Sequence, residues 1–271
     1  ASKTSKVVLS GVGGDEMFGG YPKYRALQIF QEYKNFPKSL VKKFGGVFQK
    51  IPDSMSESIV KGKIFFDAWK ENPEDQYYSL ITYFKEKEKE ELLNFSISLP
   101  SRRFIDELFL ESKKSNAESF FEKLFFVENT SYLPNNILEY TDKTSMAVSL
   151  EVREPLLDHK IAEFAANIPF DLKNILKIAM KEELPKNVLN RKKRGFTPPI
   201  INWLNNSISD LESHYFSQKR IKEEKILNYE YIKKISSEYK NGKTSNYAKI
   251  WSIICLQSWL EVFMKKYNFT I

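Results

Sequence analysis

The apolar positions change their period once, close to the start of the chain. From Lys6 to Ser10 they run unbroken through Val7, Val8 and Leu9, the pattern of a strand buried on both faces of a parallel sheet. Almost everything afterwards reads as helix. Pro22 suits a first helical position, and Ala26, Leu27, Ile29, Phe30 and Tyr33 then form one stripe. Phe120, Phe121, Leu124, Phe125 and Val127 form a second. Asp158 is placed to cap a helix whose Ile161, Phe164, Ala165 and Ile168 follow the i, i+3, i+4, i+7 spacing. A last helix carries Ile250, Trp251, Ile253, Ile254, Trp259, Leu260 and Phe263 around most of its girth, which predicts burial. The fold class is therefore mostly α with one leading strand of the parallel type. One doubly buried strand cannot form a sheet alone. Either it pairs with a segment that reads as helix, or the rest of its sheet lies upstream of Ala1; the second explanation is favoured. There is no internal repeat or low-complexity linker, and Lys240 to Asn246 reads as a loop, not a domain boundary.

Composition narrows the class of protein without choosing a function. At 271 residues, 42% hydrophobic and 28% charged, the chain can bury a sizeable core. No apolar run approaches the roughly 18 residues of a membrane helix, since even Ile250 to Leu260 contains Ser252, Gln257 and Ser258. The expectation is no membrane contact, no signal peptide and a reduced, cytoplasmic setting. Cys255 is the single cysteine, which excludes an internal disulfide framework; its apolar helix predicts a packed core thiol. His159 and His214 have no metal-ligand spacing. The net charge of +7 invites a nucleic-acid partner. Basic residues, however, often alternate with acids, as in Lys85 to Glu91, the habit of a solvated helix face. A phosphate-bearing small molecule uses the positive balance equally well.

Three segments carry candidate chemistry. Directly after the strand, Ser10-Gly11-Val12-Gly13-Gly14-Asp15-Glu16-Met17-Phe18-Gly19-Gly20-Tyr21 puts a glycine-rich turn where open α/β sheets bind ligands. There backbone N–H groups can approach phosphate, and Asp15 can hold Mg²⁺ together with phosphate oxygens. The alternative is a tight strand-to-helix turn with Asp15 as helix cap. Between Asp142 and His159, the groups Asp142, Glu151, Arg153, Glu154 and Asp158 crowd among apolar residues. A carboxylate against apolar walls can act as a general base; internal salt bridges such as Glu151 to Arg153 are the alternative. Arg191-Lys192-Lys193-Arg194-Gly195-Phe196 suits a polyphosphate, a nucleic-acid backbone or a solvated basic loop.

In order, these segments resemble the synthetase domain of the glutamine-dependent asparagine synthetase family. SGVGGDEMFGGYPKY is similar to its glycine-rich loop, DKTSMAVSLEVREPLLDH to its second signature and NRKKRGF to its third. The closing IWSIICLQSWLEVF is similar to the last helix of many members. The resemblance implies the helical C-terminal part of an α/β adenine-nucleotide-hydrolase-like (ATP-pyrophosphatase) domain spanning residues 1–271. It also implies an ATP-dependent, AMP-forming amide ligase. A carboxylate, usually that of aspartate, attacks the α-phosphate of ATP, pyrophosphate leaves, and glutamine-derived ammonia displaces AMP. Carried over by residue, Asp15 matches the aspartate that binds Mg²⁺. Ser10, Gly11, Gly13 and Gly14 match the loop flanking the nucleotide. Glu151 matches a glutamate paired with catalysis in the related β-lactam synthetases, and Lys193 the lysine that stabilises the adenylation transition state.

The chain departs from the family pattern in places that matter. Val12 stands where asparagine synthetases usually carry an acid. The Ser-Gly-Gly-x-Asp-Ser pyrophosphate loop and an N-terminal glutaminase domain with its cysteine nucleophile are absent from these 271 residues. The join from Asp171-Leu172-Lys173 to Asn174-Ile175-Leu176 is shorter than usual. The orphan strand and the absent loop together predict a fragment of a longer synthetase. Val12 and Glu154 leave room for another acceptor, such as a sugar carboxylate of a surface polysaccharide. An inactive helical scaffold is the alternative of a different class, and a basic nucleic-acid binder stands behind it.

Overall fold

The computed structural model describes residues 1–70, 72–168, 174–191 and 198–267. Its residues gather into two compact units built from interleaved parts of the chain. One comprises Ala1–Lys34, Glu71–Tyr77 and Arg102–Lys193; the other comprises Asn35–Lys70, Tyr78–Ser101 and Arg194–Ile271.

The first unit holds the leading strand, β1 (Val7–Leu9), and it does not stand alone. It pairs in parallel with β2 (Glu151–Arg153), in the register Val7 to Glu151, Val8 to Val152 and Leu9 to Arg153. Flanking bonds extend the ladder by one step at each end: Glu151 N–H donates to the Lys6 carbonyl and Ser10 N–H to the Arg153 carbonyl, both at 2.9 Å. The partner strand lies inside the charged stretch from Asp142 to His159, and three residues are too few to show a period of two. Ser149, at φ 55°, turns the chain out of the preceding helix Glu139–Met146 and into β2. Among the described residues the fold is thus mostly helical with two parallel strands, not one. Nor is β1 buried on both faces. Leu9 is 73% exposed and Val7 stands at the edge of exposure, so this pair covers neither face fully.

The predicted helices of this unit form where the periodicity puts them. Pro22–Glu32 has Pro22 in its first turn and buries Tyr24, Leu27 and Phe30. Phe120–Val127 begins at Ser119, whose hydroxyl accepts the Glu122 N–H while Glu122 accepts the Ser119 N–H, a reciprocal cap. This helix runs on into an eleven-residue π-helix, Glu128–Leu138, with Pro134 inside it. A proline has no N–H to close the normal ladder, and wide turns of this kind are rare. Side chains take up carbonyls at its start: Asn129 donates to Phe125, Thr130 to Phe126 and Ser131 to Val127, at 2.5 to 2.9 Å. Asp158 caps His159–Ala166 by accepting the Lys160 N–H at 2.9 Å.

The second unit is a helical core. Leu204 from Ile200–Tyr215, Ile232 from Tyr229–Lys240, and Ile250 and Ile253 from Tyr247–Tyr267 are almost fully buried together. Leu92 ends the helix Glu86–Leu92, formed by the alternating charges, and an isolated antiparallel bridge from Leu93 to Leu227 ties it to this core. The last long helix is only half buried. Ile250, Ile253, Ile254 and Leu260 are inside, whereas Trp259, Val262 and Phe263 are exposed, against the expectation of burial all round. Cys255 is likewise exposed, not a core thiol. A helical hairpin, Lys38–Lys50 and Glu57–Ala68, interlocks through glycine. The Phe48 ring lies where a Cβ on Gly62 would come within 2.5 Å of it, so any larger residue there displaces the ring. Asp53 accepts from Lys63 at 2.6 Å and from the Ser245 N–H at 2.8 Å, fixing the turn of the hairpin.

Candidate functional site

The glycine-rich turn leaves β1 at its carboxyl end and enters the short helix Gly14–Met17. Ser10 closes it from below, its hydroxyl accepting the Val12 N–H at 3.1 Å. Gly13 has φ +99°, a left-handed backbone that favours glycine. A Cβ on it would also meet the Leu157 side chain at 2.6 Å, so the turn packs tightly on the segment that follows β2. By contrast, a Cβ on Gly11 would meet nothing within 4 Å, and space is open beside that residue.

Glu16, not Asp15, organises the helix start. Its carboxylate accepts the Gly13 N–H at 2.9 Å, and on its other oxygen the Tyr21 hydroxyl. Gly13 occupies the cap position and Asp15 lies in the first turn, which removes the reading of Asp15 as helix cap. Asp15 is partly exposed there, and a carboxylate in a first helical turn is favoured by the helix dipole.

Behind the turn lies a polar cluster that the sequence did not announce. Lys23 places its ammonium 2.6 Å from both carboxylate oxygens of Glu128, the first residue of the π-helix. Tyr77 donates to the same carboxylate at 2.5 Å and Tyr24 at 3.3 Å. The rings of Tyr132, Tyr21, Tyr24 and Tyr77 surround the ammonium at 4.4 to 5.8 Å. Glu128 is 2% exposed. Burial first, then the neighbouring carboxylates, drives the Tyr21, Tyr24 and Tyr77 hydroxyls far above the ordinary tyrosine pKa. Through Tyr21 this cluster touches Glu16, and through Glu16 the turn itself. Met17 and Phe18, further along, also line a half-open, mostly apolar cleft of about 620 Å³ with Phe121, Phe125 and Ile168.

The carboxyl end of β2 carries Glu154. It precedes the Pro155–Leu157 turn against which Gly13 packs, so it sits beside the glycine-rich turn. Burial, then the Asp142 charge, raises its carboxyl pKa above the ordinary range. Glu151 is placed differently. It pairs with Val7 at the amino end of the ladder, is exposed, and bonds Arg153 Nε at 2.8 Å. The structure therefore brings Ser10, Gly11, Gly13, Gly14 and Asp15 together with Glu154, three residues beyond Glu151 and just past the end of β2. Lys193, with Lys192, Arg194, Gly195 and Phe196, lies outside the described residues, as does Asp171-Leu172-Lys173. Among the described residues no three His, Cys, Asp or Glu side chains converge as a metal cage. A single aspartate is what a Mg²⁺ held chiefly by substrate phosphates requires of the protein.

A family model described as asparagine synthase matches residues 1–261. The chain is 29% identical to asparagine synthetase (glutamine-hydrolyzing) 1 of Bacillus subtilis, over 98% of this chain and 42% of that protein. It is 27% identical to a putative asparagine synthetase (glutamine-hydrolyzing) of Mycobacterium tuberculosis, over 98% of this chain and 40% of that protein. It thus spans about two fifths of the length of these curated relatives. No solved structure matches it.

Proposed function

The chain belongs to the asparagine synthase family, and on that premise we propose that it forms the C-terminal part of the synthetase domain of an ATP-dependent, AMP-forming amide ligase. The complete protein activates a carboxylate, with aspartate the first candidate, by attack on the α-phosphate of ATP. Pyrophosphate leaves, and ammonia from glutamine displaces AMP. The domain is of the adenine-nucleotide-hydrolase type, with the pyrophosphate loop and glutaminase supplied from the part of the relatives' length that this chain does not span.

One observation carries the reading: a glycine-rich turn at the carboxyl end of a parallel strand, with a carboxylate just inside the following helix. Ligands of open α/β sheets sit at that edge. Ser10, Gly11, Gly13 and Gly14 flank the nucleotide, Asp15 holds Mg²⁺, and Lys193 neutralises charge developing on the phosphates. The base that takes a proton from the attacking ammonia is a carboxylate of the β2 segment. Glu151 is the residue matched by resemblance; Glu154, with its raised pKa beside the turn, has the better placement.

Carboxylate-dependent exchange of labelled pyrophosphate into ATP, run on the full-length protein with a panel of acids, tests this. Exchange with aspartate supports the first candidate. Exchange with a uronic acid instead moves the acceptor to a sugar carboxylate, the reading that Val12, an apolar residue packed against the Met17 and Phe18 core, keeps in view. Exchange with none refutes the ligase.

A further inference from the structure

The helix Lys38–Lys50 turns only part of its apolar surface toward a neighbour. Val41 is buried, Gly45 lies against Phe66 and Phe48 covers Gly62, so one side faces the Glu57–Ala68 helix. Leu40, Phe44 and Val47, spaced by four and three residues, make a second stripe on another side. These three are 39 to 55% exposed. At about 100° per residue, Lys43 and Lys50 fall roughly 60° to 80° from Leu40, on the flank away from Val41. From Tyr33 to Pro52 the chain carries Lys34, Lys38, Lys42, Lys43 and Lys50 and no acidic residue.

We propose that this stripe is a peripheral docking face for an anionic lipid bilayer. The core of a protein–protein interface is depleted in lysine, whereas a helix with phenylalanine and leucine on one side and lysine along the rim is what an anionic interface takes up. The apolar stripe enters the headgroup boundary and the lysine rim meets the phosphates. No helix among the described residues is long and apolar enough to cross a membrane. A helix lying in the interface needs only one apolar face, so the absence of a long apolar run does not bear on it.

The test is co-sedimentation of the full-length protein with phosphatidylcholine vesicles, with and without phosphatidylglycerol, at low and high salt. Binding is expected only with phosphatidylglycerol, weakening as salt rises. Lys43→Gln with Lys50→Gln lowers partitioning about 25-fold, from roughly fivefold per lysine near an anionic surface. Phe44→Ser lowers it about tenfold or more through lost apolar burial, in a protein that circular dichroism shows to be still folded. No binding to phosphatidylglycerol vesicles, or equal binding to both kinds, overturns the proposal. So does a folded Phe44→Ser protein that partitions to phosphatidylglycerol vesicles as well as the parent. A dimer that Phe44→Ser dissociates overturns it in favour of a second copy.

Discussion

Replacing Lys23 with methionine is the sharpest perturbation that the fold of the first unit allows. Methionine keeps the length and apolar body of the side chain and removes only the ammonium. Glu128, 2% exposed, then keeps two tyrosine hydroxyls as donors and loses its cation. Breaking a buried ion pair from one side costs about 3–5 kcal/mol, because an uncompensated charge stays inside. At a urea slope of about 3 kcal/mol per molar, that moves the unfolding midpoint by roughly 1 M or more. The double variant Lys23→Met with Glu128→Gln leaves no charge behind and is expected to recover most of the loss. Far-UV circular dichroism in urea measures both. Amide exchange over Pro22–Glu32 localises the loss, since that helix carries Lys23 and Tyr24. A midpoint shift below about 0.3 M for the single variant, or a double variant no better than the single, refutes the claim that the pair is a coupled, desolvated unit.

Alkaline titration tests the same cluster by another route. Burial raises the pKa of Tyr21, Tyr24 and Tyr77, so their contribution is fully present below the unfolded tyrosine value and is lost as pH rises. Absorbance at the phenolate band should show these rings ionising only with unfolding, well above pH 10; ionisation near pH 10 in the folded protein contradicts their burial. Glu154 also has a raised pKa, so its ionisation above the unfolded glutamate value opposes folding. Glu154→Gln should raise the thermal midpoint at neutral pH, leave it unchanged at acid pH, and flatten the acid limb of the ligase rate profile. An unaltered rate profile removes Glu154 as a base. Lys193→Ala should abolish pyrophosphate release without lowering the thermal midpoint, and undiminished release removes its role at the phosphates.

Much of the helical part of this fold is written plainly in the sequence. Stripes at 3.6-residue spacing mark Pro22–Glu32 and Phe120–Val127 because each helix buries one face, whereas His159–Ala166 forms where its stripe predicts but buries only Ala165 and leaves Phe164 exposed. The tight turn after β1 is equally legible, since Gly13 needs both a left-handed backbone and room for Leu157. What was not legible depends on distance. β2 is three residues long, shows no alternation, and exists through its ladder with β1. The Lys23–Glu128 pair joins residues 105 positions apart, and no local pattern marks a buried glutamate. Glu16 sits beside the more conspicuous Asp15, and only its bonds to Gly13 and Tyr21 reveal which of the two holds the turn. The last helix misled because apolar residues all round do not say which side is covered. Here Trp259 and Phe263 stack on each other, 5.0 Å apart, in the open.

Everything proposed about the reaction requires that the Ser10–Gly14 turn and Asp15 receive the charged end of a magnesium nucleotide. Calorimetry of the full-length protein with ATP and Mg²⁺, parent against Asp15→Asn, measures that directly. Mg²⁺-dependent binding is expected in the parent, with a loss of about tenfold or more in the variant, the scale of one charge-assisted contact of about 1.5–3 kcal/mol. Superimposed isotherms would place the nucleotide elsewhere.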